Sequence, residues 1–204
     1  MAAPLANCTV LLVRHGEKPD GGTGDDAGGA SGLSPAGQAR AQAYVAYFQN
    51  YVALAAEGPR VMTPIVLDHL FAAKDSAASQ RPRLTLEPLA TALGKSIHDE
   101  VKDKDWQRLV DELAGYQDAN LLVCWHHGEI LDLANALLAK GGIGDPKSLP
   151  AASAWPPRKW PGEVFGWVLQ IVYDGDGNAR PEWVRAINQQ LMFDDTIDPP
   201  GKGA

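Results

Sequence analysis

Arg14-His15-Gly16-Glu17 follows directly on the apolar run Cys8-Thr9-Val10-Leu11-Leu12-Val13. The imidazole of His15 is a potential nucleophile, and the Arg14 guanidinium presents a planar fork of donors suited to phosphate oxygens. Gly16 lets the backbone turn sharply beside them. A second string, His126-His127-Gly128-Glu129, follows another apolar run, Leu121-Leu122-Val123-Cys124-Trp125. Between the two strings lie Arg81 and Arg83, near a helix-start pattern. On residue types alone, the first string reads equally as a strand that ends at a polar surface turn.

Both strings need an element to mount them. Apolar runs of this length, the first of them β-branched, read as fully buried strands. In open α/β sheets ligands bind just beyond the carboxyl ends of the strands, which is where both strings fall. A helix is expected from about Pro35 to Ala56, with Ser34 as N-cap and Pro35 where its missing N–H costs nothing. Further expected elements are a strand over 66–73, a helix over 79–93 stopped by Gly94, and a short strand over 96–99. A helix over 105–113, a strand over 121–125 and a helix over 130–139 follow, the last ended by Gly141-Gly142. Segments 164–173 and 182–191 alternate as a strand pair around Asp174-Gly175-Asp176-Gly177-Asn178. Strands alternating with helices predict an α/β protein, with a mainly parallel central sheet covered on both faces. The Gly/Asp-rich stretch 20–32 reads as a mobile loop, and 143–162, with five prolines and two tryptophans, as an irregular one.

With 204 residues, the chain has the length of one domain with a substantial core, taken as 1–204. The formal charge of -7 disfavours a nucleic-acid or anionic-membrane partner, which needs a basic face. It leaves room for a phosphorylated substrate held in a local arginine pocket. Cys8 and Cys124 fall in the two apolar runs and read as free buried thiols, which suits a reducing cytoplasm. No stretch has the length of a membrane span, and the residues before Cys8 lack the basic and apolar regions of a signal peptide. The expected location is therefore cytoplasmic.

The ordered set of Arg14-His15-Gly16, Leu33-Ser34-Pro35-Ala36-Gly37, Arg81 four residues before Thr85, and a second strand ending in His126 resembles the histidine phosphatase superfamily. The resemblance runs from about Val10 to Leu191, and within the superfamily it is closer to the small bacterial phosphatases than to the glycolytic mutases. It implies the phosphoglycerate mutase-like α/β/α sandwich and hydrolysis of phosphomonoesters without metal or cofactor. It also implies His15 as a nucleophile that becomes phosphohistidine, with Arg14, Arg81 and His126 holding the phosphoryl group. Gly16, Glu17 and His127 would then contribute to substrate binding or to the shape of the loop. Family spacing favours Arg81 over Arg83, which is expected as a solvated surface charge. It favours His126 over His127, though a variant string would select His127. The general acid is sought among Asp99, Glu100, Asp103 and Asp105, with Asp103 and Asp105 foremost and Glu129 as a rival. A solvated helix start explains the Asp cluster equally well.

Three patterns point elsewhere and are set aside. Asp174-x-Asp176-x-Asn178 lacks the acidic twelfth position of a calcium loop and reads as a hairpin turn. His126 and His127 are neighbours that point apart and carry no metal-ligand spacing. Gly141-Gly142-Ile143-Gly144 lacks the Lys-Ser/Thr of a phosphate loop. Trp155 and Trp160 could stack on a substrate ring, but packing over the sheet is the expected role. The expected substrate is a phosphorylated small molecule or phosphoprotein. A phosphomutase and a non-catalytic phosphate- or phosphoprotein-binding module are the alternatives.

Overall fold

A computed structural model of the chain describes residues 3–19, 31–53, 64–156 and 159–195. The two apolar runs form the centre of the sheet. Thr9–Arg14 (β1) and Asn120–Trp125 (β4) pair in parallel with Arg14 opposite Trp125, so their carboxyl ends finish side by side. His69–Ala72 (β2) pairs in parallel with β4, and the two-residue strand Ile97–His98 (β3) pairs in parallel with β2. On the other flank Trp167–Val172 (β5) runs antiparallel to β1, and Arg185–Asn188 (β6) antiparallel to β5. The six-stranded order is β3-β2-β4-β1-β5-β6.

Alternation along β1 divides the core in two. Val10 and Leu12 face one layer, together with Leu109 and Leu113 of Trp106–Leu113 (α3) and Leu133 and Leu137 of Ile130–Lys140 (α4). Leu11 and Val13 face the other, against Tyr44 and Phe48 of Pro35–Gln49 (α1) and Leu86 and Leu89 of Arg81–Leu93 (α2). The result is the expected three-layer arrangement with a mostly parallel sheet. Cys8 and Cys124 are both buried and free, and Cys8 lies just ahead of β1 rather than within it. No helix among the described residues is long and apolar enough to cross a membrane.

Several boundaries differ from the expected ones, for local reasons. The first helix ends at Gln49 instead of continuing to Ala56, because Asn50 caps it and Tyr51 turns inward to donate to Gln170 Oε1 at 2.9 Å. Residues 54–63 and 20–30, which hold the helix remainder and most of the Gly/Asp-rich stretch, lie outside the described residues. The strand expected from Val164 starts only at Trp167, since the carbonyls of Gly162 and Val164 are turned toward Arg14. Pro181–Trp183 is a 3-10 turn, so β6 begins at Arg185 rather than Glu182. The Asp174–Asn178 turn is a hairpin bend, with Asp174 Oδ1 accepting from the Asp176 and Asn178 amides. Gly141 caps α4 as expected.

Candidate active site

The parallel register of β1 and β4 carries over into the residues that follow them. The His15 amide donates to the Trp125 carbonyl at 3.2 Å, and the rings of His15 and His126 meet edge to face with centroids 5.1 Å apart. His15 Nδ1 lies 2.7 Å from the Gly16 carbonyl. A carbonyl only accepts, so Nδ1 carries the proton and the lone pair is on Nε2. This tautomer is the one a nucleophilic imidazole needs.

The loop after β1 is fixed from three sides. Thr85, one turn into α2, accepts from the Gly16 amide at 2.9 Å and donates to the Arg81 carbonyl at 2.7 Å. That single hydroxyl ties the start of α2, and with it Arg81, to the residue after His15. From the α1 side, Ser34 accepts from the Gly37 amide as an N-cap, worth about 1 kcal/mol. Its own amide donates to the Glu17 carbonyl at 2.9 Å. Gly37 then lies so close to Gly16 and Glu17 that a Cβ would fall 2.6 Å from the Glu17 carbonyl oxygen. The glycine in Leu33-Ser34-Pro35-Ala36-Gly37 is there because backbone packs on backbone.

Glu17 is engaged on the α1 side. Its carboxylate grips the Nε and Nη2 of Arg40 at 3.0 and 2.5 Å, and Asp195 takes the other edge of the same guanidinium at 3.1 and 2.6 Å. Arg40 is fully buried between them. Burial alone would pull its guanidinium down, but the hydrogen bonds to Asp195 and Glu17 outweigh it and hold it charged. Arg14, also fully buried, donates Nη1 to the carbonyls of Gly162 and Val164 at 2.5 and 3.1 Å. Its guanidinium carbon stacks 3.8 Å from the centre of the Phe165 ring, which in turn lies 6.4 Å from the His15 ring. Arg14 thus organises the loop before β5 as well as placing charge beside His15.

The remaining residues separate clearly. Arg81 is buried and donates Nη1 to the Ala78 carbonyl, whereas Arg83 bonds Asp75 at 2.8 Å and Glu87 at 2.5 Å, with Asp99 at 4.0 Å. Arg83 is therefore an ion-paired residue and not the solvated charge expected. A cavity of about 320 Å³ opens at the carboxyl ends of β2 and β4. Of the sequence candidates it is lined by His126, His127, Asp103 and Glu129. His126 is 5 % exposed and forms the inner wall, with His127 half-buried toward the rim. Asp105, at the exposed end of the 3-10 turn Asp103–Asp105, does not line this cavity. Glu129 is held by an ion pair with Lys104. Trp155 and Trp160 are buried in the core, bonded to Asn135 and to the Val164 carbonyl, and neither reaches the cavity.

Sequence reasoning passed over Lys74, Ser76, Ser79 and Lys104, all of which line the cavity. Nothing in their local pattern marks them, because only the 74–80 turn and the 3-10 turn before α3 bring them together. The buried Lys18 was within reach, as it directly extends the Arg14–Glu17 string. Among the described residues no cluster of His, Cys, Asp and Glu could hold a metal ion.

No family model matches the chain, and no curated protein matches it in sequence. Solved structures do match. An alpha-ribazole-5'-P phosphatase from Escherichia coli K-12 aligns at a TM-score of 0.52 and 14 % identity, over 89 % of this chain and 96 % of its own. A phosphoserine phosphatase from Entamoeba histolytica, solved with 3-phosphoglyceric acid, aligns at 0.52 and 12 % identity, over 90 % of this chain and 98 % of its own. A phosphoglycerate mutase from Plasmodium falciparum aligns at 0.48 and 12 % identity, over 95 % and 99 %. The first two share the chain's fold, an α/β architecture with a mostly parallel sheet flanked by helices.

Proposed function

We propose that this chain is a histidine phosphatase that hydrolyses phosphomonoesters through a phosphohistidine on His15. The observation that carries the reading is the Nδ1–Gly16 hydrogen bond beside His126, which directs the His15 lone pair to Nε2. In the first step Nε2 attacks phosphorus, the P–N bond forms and the P–O bond of the ester breaks. In the second, water attacks phosphorus, the P–N bond breaks and inorganic phosphate leaves. Charge spread over the non-bridging oxygens is met by Arg14, Arg81 and His126, as charge-assisted donors.

Asp103 serves as the general acid. It lines the cavity, and no ion pair among the described residues holds its carboxylate, whereas Glu129 is taken by Lys104. Asp103 gives its proton to the departing oxygen in the first step and recovers one from the attacking water in the second. Its place is held by the Trp125 indole, which donates to the Asp103 carbonyl at 3.1 Å and ties the 3-10 turn to the end of β4.

The test is hydrolysis of p-nitrophenyl phosphate in the presence of a chelator, with acid quench of the enzyme during turnover. Base-stable, acid-labile phosphate on His15, and its loss together with activity in His15→Ala, are the expected results. Near-native turnover by His15→Ala would sink the assignment. Phosphate binding with no turnover in the wild type would favour the binding module, and transfer of the phosphoryl group to a second alcohol would favour a mutase.

A further inference from the structure

The cavity beside His126 has a composition that says what the alcohol portion of the substrate is like. Its volume of about 320 Å³ is at the small end of ligand pockets and suits a metabolite rather than a folded partner. Apart from the imidazoles of His126 and His127, its lining among the described residues holds no aromatic ring and no side chain larger and more apolar than Ala78. The two tryptophans of the neighbouring loop, which could have stacked on a base or an acyl chain, are committed to the core. A nucleoside or lipid chain would find little apolar surface here to bury.

Two lysines, Lys74 and Lys104, line the same cavity. Lys74 follows β2, its amide donating to the Val101 carbonyl at 2.7 Å, and its exposed ammonium has no hydrogen-bond or ion-pair partner among the described residues. Lys104 stands on the adjacent 3-10 turn with its charge balanced by Glu129. Asp103, the other carboxylate of the lining, is the proton donor of the reading above, and no ion pair among the described residues joins it to Lys74. Lys74 is thus the lysine of this lining without an ion pair among the described residues, in a cavity whose His126 ring meets that of His15.

Resting on the phosphatase reading, we infer that the substrate is a small, hydrophilic phosphomonoester whose alcohol portion carries its own negative charge, recognised by Lys74. The Ser79 hydroxyl, which accepts from the Arg81 amide, lines the same cavity and has its proton to donate to such a group.

The experiment compares kcat/KM for 2-phosphoglycolate and for its uncharged amide, phosphoglycolamide, with adenosine 5'-monophosphate as a bulky third probe. The wild type is expected to prefer phosphoglycolate over both. Lys74→Ala should lower the phosphoglycolate-to-amide ratio by up to about fivefold, the scale of one solvent-facing ion pair. Lys74→Glu should invert the preference, and Lys74→Arg should restore it. Equal losses on the charged and uncharged probes would overturn the inference, because they would show that Lys74 attracts only the phosphate. A wild type that prefers adenosine 5'-monophosphate would overturn it as well. If neither small probe is turned over and p-nitrophenyl phosphate is inert too, the phosphatase reading falls and this one with it. Turnover of both with an unchanged ratio in Lys74→Ala removes this inference alone.

Discussion

Replacing Gly37 with Ala sets two effects against each other, and the structure decides between them. Within a helix, Ala is favoured over Gly by about 1 kcal/mol. At position 37, however, the added Cβ would lie 2.6 Å from the Glu17 carbonyl oxygen and 2.8 Å from its amide nitrogen. Both are backbone atoms, so no side chain can swing aside. Ordinary contact begins near 3.4 Å, and the two segments must separate by about 0.8 Å. Overpacking of this kind costs about 1–3 kcal/mol, enough to cancel or exceed the gain in helix propensity. A larger effect is expected on catalysis. The displaced segment includes Gly16, whose carbonyl sets the His15 tautomer, and a misplacement near 1 Å costs on the order of 100-fold. Urea denaturation of Gly37→Ala, read beside kcat/KM for p-nitrophenyl phosphate, separates the two quantities. A variant about 1 kcal/mol more stable than the wild type, with native turnover, would refute the claim that this glycine exists for close approach.

Two further predictions rest on other parts of the site. Asp103→Asn should lower kcat for alkyl phosphates far more than for p-nitrophenyl phosphate, whose leaving group needs little protonation; a uniform loss across leaving groups would move the acid elsewhere. For Asp195, burial pushes the carboxyl up, but its hydrogen bonds to Arg40 and the Met192 amide outweigh this and hold it below the ordinary carboxylate range. A depressed folded value means that the stabilisation is complete above the unfolded value, about 3.9, and is lost as pH falls through the folded one. Acid unfolding monitored from pH 5 downward should therefore be shallower in Asp195→Asn than in the wild type. Identical acid limbs would show that the Arg40 bridge contributes nothing to the pH dependence.

The sheet and the His15–His126 pair could be read from the sequence because both depend on local pattern. A buried strand announces itself by an unbroken apolar run, and whatever follows its carboxyl end falls at the site. Ser34 and Pro35 likewise mark a helix start without reference to anything distant. The features that were missed are made by tertiary closure. Asp195 and Arg40 are 155 positions apart, and no composition rule joins them. Lys74 and Lys104 look like any surface lysines until the two turns meet around the cavity. Arg83 was misread for the same reason, since Asp75 and Asp99 reach it only after β2 and β3 have paired.

The direction of β5 has an evolutionary consequence. Because β5 is antiparallel to β1, with Val13 opposite Val168, the chain reaches the end of the sheet that carries His15 just before β5 begins. The segment between α4 and β5 can therefore be lengthened, shortened or resequenced while its far anchor stays a fixed ladder. Its near anchor is the Arg14 guanidinium, which holds carbonyl oxygens and so reads no side chain at positions 162 and 164. Such a design lets the segment ahead of Phe165 vary with little penalty to the strands that carry the imidazoles, since none of its described residues lines the cavity. Diversification among chains with this scaffold should accordingly concentrate between residues 141 and 166, while the two histidine-bearing strand ends remain in register.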